Sequence, residues 1–246
     1  MHRFYVEESN INNDKIIITG TDVNHIKNVL RMRPGDELII CNGQGKDFYC
    51  IIECESDSQI ITNIKEAHNT DTELESKLYL FQGVPKKDKM EFIIQKAVEL
   101  GVYEIIPVMT HRTVVKIEDK KKELKKVERW QSIATSAGKQ SNRGIIPMVT
   151  ETKTWKEALA YAKTLDCRVI PYENADNIEV TREIIRNIYR GQSVGIFIGP
   201  EGGFEESEIK LALEAEIRPI TLGRRILRTE TAGLAVLAAI MLQIER

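Results

Sequence analysis

Short apolar runs alternate with amphipathic stretches from about residue 77 to the end of the chain. The apolar runs are rich in β-branched side chains, which predicts buried strands, and the stretches between them repeat apolar residues every three or four positions, which predicts helices. The pattern therefore predicts a doubly wound α/β domain with a mostly parallel sheet. The predicted strands are residues 78–81, 104–108, 148–149, 167–170, 194–198 and 217–222, and the predicted helices are residues 89–100, 124–137, 155–163, 180–189 and 230–244.

The first 68 residues have a different pattern. β-Branched or aromatic runs at 16–18, 37–41, 48–54 and 59–64 are separated by turn signals such as Arg33-Pro-Gly-Asp36, and one helix is predicted near 22–31. A small β-barrel is the natural architecture for such a segment. Residues 69–76 are polar and without periodicity, which is typical of a linker. We therefore predict a β domain at 1–68, a linker at 69–76 and an α/β domain at 77–246.

Composition narrows the choice of function only slightly. The chain of 246 residues has 42% hydrophobic residues and a net charge of -2, so its bulk charge is not that of a typical nucleic-acid binder. The cysteines at 41, 50, 54 and 167 form no Cys-x-x-Cys pair, and no metal site is expected. The first residues do not resemble a signal peptide, and the longest apolar run, 232–242, is too short to cross a bilayer. We expect a cytoplasmic protein.

Two glycine-containing segments, Gly199-Pro-Glu-Gly-Gly203 and Leu222 to Ala232, carry most of the functional information. Each follows an apolar run and precedes a helical pattern, so both are expected at the carboxyl ends of strands, where open α/β sheets bind ligands. Neither segment is a dinucleotide-binding fingerprint or a P-loop. Glu201 would repel a phosphate but would tolerate a ligand with a cationic centre. A tight turn with no ligand is the alternative for either segment taken alone.

The two segments together, in this order, resemble the S-adenosylmethionine (SAM) site of the SPOUT methyltransferases, and in particular the ribosomal RNA small-subunit methyltransferase E family. The resemblance runs along the whole chain. It includes Met1 to Val6, His25 to Leu38, Pro85 to Glu91 and Gln95 to Val102. One departure is Lys139, which precedes Gln140-Ser141 where the family pattern has an acidic residue.

The resemblance implies a PUA-like RNA-binding fold for the first domain and a SPOUT fold with a C-terminal trefoil knot for the second. It also implies a homodimer, as does the apolar character of the last helix on nearly all sides. The expected reaction is transfer of a methyl group from SAM to N3 of a uridine in 16S rRNA, either free or within the small ribosomal subunit. The expected cofactor-binding residues are Gly199, Pro200, Glu201, Gly202, Leu222, Gly223, Ile226, Leu227 and Thr231.

Uridine N3 carries a proton that must be lost at or before transfer, and charge then spreads onto O2 and O4. Arg228 is the candidate to stabilise that charge, because a guanidinium donates N–H groups but stays protonated. A salt bridge from Arg228 to Glu230 or Glu201 is the alternative. Glu201 and Glu230 are candidates for the base or for electrostatic stabilisation of the sulfonium. The residues expected to contact RNA are Arg3, Arg31, Arg33, Lys86, Lys87, Gln140 and Arg143.

Two other functions compete with this one. The first is a non-catalytic RNA-binding or ribosome-assembly protein that retains the fold, and the second is an enzyme that uses a different nucleotide cofactor. Glycines at 199, 202, 203 and 223 favour the methyltransferase over the first, and the missing phosphate-binding signatures disfavour the second.

Overall fold

A computed structural model describes residues 1–113, 120–175 and 177–245. These residues form two compact units. The first consists of Met1–Glu73 and Gly138–Ile146, and the second of Leu74–Ala137 and Pro147–Arg246. The segment 138–146, which the sequence pattern assigns to the α/β domain, therefore packs with the N-terminal unit.

The first unit is built on a six-stranded sheet. Its strand order is β1-β4-β5-β6-β3-β2, with β1 parallel to β4 and every other neighbouring pair antiparallel. The ladders of the described residues leave the sheet open between β1 and β2, where the sequence predicts a barrel. The strands are β1 (His2–Tyr5), β2 (Ile11–Asn12), β3 (Lys15–Thr19), β4 (Glu37–Cys41), β5 (Lys46–Glu55) and β6 (Gln59–Asn69).

One helical segment covers the core of this sheet. It begins as an α-helix, α1 (Thr21–Asn24), and continues as a π-helical turn over His25–Val29. Val23 and Ile26 are buried in the same cluster as Ile16 and Ile18 of β3, so the alternating apolar positions of the strand face the helix. Just beyond the helix, Arg31 has a φ of 55°, a left-handed conformation that ends the helical path.

Segment 138–146 is held in the first unit by a buried ion pair. The Arg143 guanidinium donates through Nε and Nη2 to the two carboxylate oxygens of Glu73, at 2.9 and 2.7 Å. The Arg143 carbonyl accepts a hydrogen bond from the Tyr5 hydroxyl at 2.8 Å, and the ammonium of Lys139 lies 5.7 Å from the centre of the Tyr5 ring. Lys139, the residue that departs from the family pattern, thus lies against an aromatic side chain.

The second unit is an α/β domain with a seven-stranded parallel sheet, which confirms the predicted class. The strand order is β10-β8-β7-β12-β11-β13, with β9 paired to β8, and every pair is parallel. Its elements are β7 (Lys77–Gly83), α2 (Lys89–Glu99), β8 (Val102–Met109), α3 (Lys120–Gln140, of which residues 138–140 belong to the first unit), β9 (Met148–Val149), β10 (Lys153–Thr154), α4 (Trp155–Ala162), β11 (Cys167–Pro171), α5 (Ile178–Arg186), β12 (Ser193–Ile198), α6 (Glu206–Glu214), β13 (Arg218–Ile220) and α7 (Thr229–Ile244).

Helices cover both faces of this sheet. Leu78 and Leu80 of β7 belong to a core formed with α2, α3 and α7, whereas Tyr79 and Phe81 belong to a second core formed with α4 and α6. Strands buried on both faces need apolar side chains at successive positions, which explains the continuous apolar runs of the sequence.

The last helix is only partly covered within this chain. Val236, Leu237 and Ile240 are buried against the sheet, but Leu242 near its end is 74% exposed, and Phe92 on the neighbouring α2 is 47% exposed. This leaves apolar surface on the two adjoining helices. Among the described residues, no helix combines the length and apolar character that a membrane span requires.

Candidate functional site

A cleft of about 950 Å³ opens at the carboxyl ends of β11, β12 and β13 in the second unit. Three loops form its walls: residues 171–175 after β11, residues 199–204 after β12, and residues 221–228 after β13. The start of α7 and the side chains of Lys89 and Arg112 complete the lining. Both glycine-containing segments therefore lie at the carboxyl end of the sheet, as the sequence predicts.

The loop after β12 is compact because several of its backbone atoms have no room for a side chain beside them. A Cβ atom on Gly199 would lie 3.1 Å from the backbone of Gly203, and Gly203 has a φ of 69°. The Arg112 guanidinium donates to the Gly202 carbonyl at 2.8 Å. The glycines thus let the loop fold back tightly on itself beside the cleft.

The loop after β13 presents backbone to the same cleft. Gly223 has a φ of 96°, and a Cβ atom added there would meet no heavy atom within 4 Å, so the space next to it is open. The Thr181 hydroxyl accepts the Thr221 N–H at 2.9 Å and anchors the beginning of the loop. Leu222 and Leu227 are half-buried in the cleft wall, whereas Ile226 is 94% exposed.

A chain of hydrogen bonds joins the start of α7 to the other loops. The Thr229 hydroxyl donates to the Gly199 carbonyl at 2.6 Å and accepts from the buried Gln82 amide at 2.9 Å. Thr231, a predicted cofactor residue, is exposed one turn into the helix, and its N–H donates to the Arg228 carbonyl at 2.9 Å. Thr231 is not part of the cleft lining formed by the described residues.

Glu201 and Glu230 come together here, but around Lys89, which is not among the predicted site residues. The ammonium of Lys89 lies 3.1 Å from Oε1 of Glu201 and 3.4 Å from Oε2 of Glu230. Arg228 is exposed at the cleft, and no ion pair joins it to another described residue. The alternative in which Arg228 is held by Glu201 or Glu230 therefore does not occur in this structure.

Glu201 is held in its ionised form. Partial burial raises the pKa of this carboxyl, but its own N–H, the Lys89 ammonium and the Lys86 N–H together outweigh burial and hold the pKa below its usual value. The Lys86 N–H donates to both carboxylate oxygens, at 3.1 and 3.3 Å. A carboxylate with a lowered pKa is a weak proton acceptor near neutral pH.

Several lining residues were not predicted from the sequence, among them Lys89, Arg112 and Tyr172. Lys89 lies within the Pro85 to Glu91 segment that supports the family resemblance, so a signal was present there. Tyr172 belongs to the third loop and its N–H donates to the Ile220 carbonyl at 3.0 Å, which joins that loop to β13. No group of metal-ligating side chains occurs among residues 1–113, 120–175 and 177–245.

The predicted RNA-contacting residues differ in how free their side chains are. Arg31, Lys86, Lys87 and Gln140 are exposed. Arg33 pairs with Glu55 at 3.0 Å, and Arg3 pairs with Asp47 at 2.7 Å and donates to the Asn142 carbonyl. Arg143 is 5% exposed and is paired with Glu73, which is the geometry of a structural ion pair rather than of a phosphate contact.

Comparison with known proteins agrees with this architecture. Residues 72–241 match the model of an RNA methyltransferase domain, and residues 18–65 match that of an RNA methyltransferase PUA domain. Fold and cleft together define the class, a SPOUT-type RNA methyltransferase with a PUA domain. Within that class, the chain belongs to the ribosomal RNA small subunit methyltransferase E family.

The similarity to individual relatives extends over nearly the whole chain. A Bacillus subtilis protein named ribosomal RNA small subunit methyltransferase E is 40% identical over 93% of this chain and 90% of its own length. A Neisseria gonorrhoeae protein of the same name, solved bound to S-adenosyl methionine, is 33% identical with a TM-score of 0.82, over 99% of this chain and 98% of that one. A putative methyltransferase from Legionella pneumophila, also solved with SAM, is 31% identical with a TM-score of 0.81, over 98% of this chain and 96% of that one.

Proposed function

We propose that this protein is a SAM-dependent methyltransferase that methylates N3 of a uridine in 16S rRNA. The observation that carries the proposal is the cleft itself, in which two glycine-containing loops present backbone and open space at the carboxyl ends of parallel strands. Relatives named ribosomal RNA small subunit methyltransferase E support the substrate. Two similar proteins that were solved with bound SAM support the cofactor. An rRNA substrate also supports a cytoplasmic location for the proposed activity.

The residues present fit SAM. Open space beside Gly223 and the tight fold at Gly199 and Gly203 form a cradle that larger side chains would fill. In the proposal, Leu222, Gly223, Ile226 and Leu227 hold the adenine. Gly199, Pro200, Glu201 and Gly202 lie beside the ribose and methionine parts, and Thr231 acts indirectly by fixing the turn at Arg228. SAM supplies an activated methyl group on a sulfonium centre. The protein therefore has to orient the methyl group toward the acceptor nitrogen and does not have to activate it.

Arg228 has the role of binding the target base in this proposal. Its exposed guanidinium at the cleft, free of ion pairs with the described residues, can donate to the uracil oxygens on which charge develops. Glu201 is better suited to favour a cationic ligand than to accept the N3 proton, because it is held ionised by Lys89 and two N–H groups. Glu230 shares the Lys89 ammonium, at 3.4 Å, but accepts no backbone N–H from the described residues, so it stays the candidate for the base.

In this proposal, each of the two units contributes basic residues that bind the RNA. Arg31 and Arg33 follow the helical segment of the first unit and would contact phosphates, whereas the guanidinium of Arg3 is paired with Asp47 and is less suited to this role. Lys86 and Lys87 lie just before α2, and Gln140 ends α3. Arg224 and Arg225 extend this set, since both are exposed at the cleft and form no ion pair with another described residue. Arg143 is removed from the set of RNA contacts because its guanidinium is paired with Glu73.

Arg31→Ala combined with Arg33→Ala should weaken RNA binding and flatten its dependence on salt. Each phosphate contact releases counterions from the RNA when the protein binds. Loss of one contact therefore lowers the magnitude of the slope of log K against log salt by about one unit. Titration of an rRNA fragment at several salt concentrations measures this slope. Lys15→Ala is the control. It removes an exposed lysine of the same unit that is paired with Glu53 at 2.7 Å, and it should leave the slope unchanged. An unaltered slope in the double variant would remove these arginines from the RNA site.

The quaternary structure and the knot complete the proposal. The exposed Leu242 and Phe92 mark apolar surface on adjoining helices, which supports a homodimer that packs through α7. The bond from Thr229 to Gly199, and the packing of Gly233 against Ile198, support a chain path in which α7 is tucked against the β12 loop in a trefoil knot. Static light scattering should give twice the mass of one chain at micromolar concentration, and a folded monomer would contradict the dimer.

Calorimetry with S-adenosylhomocysteine (SAH) tests the proposed function most directly. We expect saturable binding in the micromolar range to the folded protein, followed by methyl transfer from SAM to small-subunit rRNA. Folded protein that fails to bind at millimolar SAH would refute the methyltransferase assignment. Binding without transfer to either free rRNA or assembled subunits would instead favour a non-catalytic RNA-binding protein.

A further inference from the structure

Lys89 connects three parts of the chain that meet at one edge of the cleft. It is the first residue of α2, Glu201 belongs to the loop after β12, and Glu230 lies in the first turn of α7. One oxygen of each carboxylate lies within 3.4 Å of the Lys89 ammonium. About a third or less of each of the three side chains is exposed, so water screens these charges only in part.

The charges around this lysine are unbalanced. Two carboxylates face one ammonium, and the other donor to Glu201 from a neighbouring element is the neutral N–H of Lys86. Arg112 from the loop after β8 donates to the Gly202 carbonyl instead. The cluster of Lys89, Glu201 and Glu230 therefore carries one net negative charge at the edge of the cleft, where it attracts a cation locally. The other cations that line the cleft, Arg112, Arg224, Arg225 and Arg228, belong to other loops, and Glu173 lies on the loop after β11.

The Lys89 ammonium allows the carboxylates of Glu201 and Glu230 to lie close together. Two ionised carboxylates with no cation between them repel each other, and each raises the pKa of its neighbour. Mutual hydrogen bonding with Glu201 raises the pKa of Lys89 itself, so the ammonium stays charged. Without Lys89, the pair would separate or take up a proton.

We propose that Lys89 is a positioning residue that holds Glu201 and Glu230 side by side, so that the edge of the cleft favours a ligand with a cationic centre. The proposal rests on the proposed function and extends it, because it assigns the recognition of the SAM sulfonium to a three-residue cluster. Lys89 acts through the two carboxylates and does not have to touch the reacting atoms.

The test compares a cationic ligand with a neutral one at the same site. SAM carries the sulfonium charge and SAH does not, so the ratio of their dissociation constants isolates the electrostatic contribution. In the unaltered protein this ratio should stay constant from about pH 8 to about pH 5.5, because the pKa of Glu201 is held below its usual value. In Lys89→Met it should shift by about tenfold against SAM over the same range, as one carboxylate takes up a proton.

Three further variants make the result specific. Lys89→Arg should restore a constant ratio, because it restores the cation. Lys96→Met removes a lysine of the same helix with similar exposure, paired with Glu99 at 2.7 Å, and should behave as the unaltered protein. Lys89→Met combined with Glu201→Gln should also lose the pH dependence, since the titrating carboxyl is gone. Thermal unfolding of each variant checks folding, and Lys89→Gln replaces Lys89→Met if the latter unfolds.

A constant ratio in Lys89→Met, or an equal loss of SAM and SAH affinity at every pH, would overturn the proposal, because either result describes a residue that only supports the fold. Failure of the unaltered protein to bind SAM or SAH would be a different outcome and would refute the proposed function first.

Discussion

Arg228→Ala should lower the single-turnover rate of rRNA methylation by about a hundredfold or more while leaving SAM affinity nearly unchanged. The expected size is that of losing one preorganised donor to a developing negative charge. The side chain is exposed at the cleft, and the Arg228 carbonyl, not the guanidinium, caps the first turn of α7 by accepting the Ala232 N–H at 2.8 Å. Alanine keeps that backbone cap, so the fold should survive the change.

Saturating SAM and a rapid-quench measurement separate the chemical step from binding and release. Arg129→Ala provides the control, because Arg129 is also an exposed arginine, paired with Glu91 at 2.7 Å, and neither residue lines the cleft. Its rate should match that of the unaltered protein. A normal rate in Arg228→Ala would assign the residue a structural role and would transfer charge stabilisation to Arg225 or to the RNA.

Gly223→Val should abolish cofactor binding, with a dissociation constant for SAH above about 1 mM. Two effects act together. The φ of 96° is unfavourable for any residue with a Cβ and most of all for a β-branched one, and the new side chain would occupy the open space that the cofactor is proposed to fill. Calorimetry with SAH measures the affinity, and circular dichroism reports whether the protein is folded.

Gly191 allows the two effects to be separated. It also has a positive φ, 86°, and open space where a Cβ would project, but it follows α5 and does not line the cleft. Gly191→Val should therefore cause a comparable loss of stability with normal SAH affinity. If Gly223→Val kept normal affinity as well, the loop after β13 would be a turn without a ligand.

The architecture of the second unit was predictable from local pattern. Buried parallel strands require successive apolar residues, and Val102–Met109 and Ser193–Ile198 are such runs with a helix on either side. The same reasoning predicted the cleft loops after β12 and β13. Both glycine-containing segments follow a buried strand, and open α/β sheets bind ligands at the carboxyl ends of their strands. The short strand Lys153–Thr154 and the third cleft loop at Tyr172 carry no such pattern, and both were missed.

The ion pairs were not predictable in the same way, because a charged residue in sequence does not identify its partner. Arg143 reads as an ordinary basic residue, yet Glu73, 70 positions away, removes it from solvent. Lys89 reads as part of a basic stretch, but it is separated from Glu201 and Glu230 by most of the second unit. Only tertiary structure distinguishes these two from Arg31, whose side chain is exposed.

The hydrogen bond between Thr229 and Gly199 has a consequence for protein synthesis. One wall of the cleft is made by the beginning of α7, so a growing polypeptide that has just completed β13 still lacks the hydroxyl that ties the β12 loop in place. Domains fold from the N-terminal side as they emerge from the ribosome. Because α7 also completes the core on one face of the sheet, both the cleft and that core can be finished only after the last residues have left the ribosome, so competence to bind the cofactor would arise at the very end of synthesis.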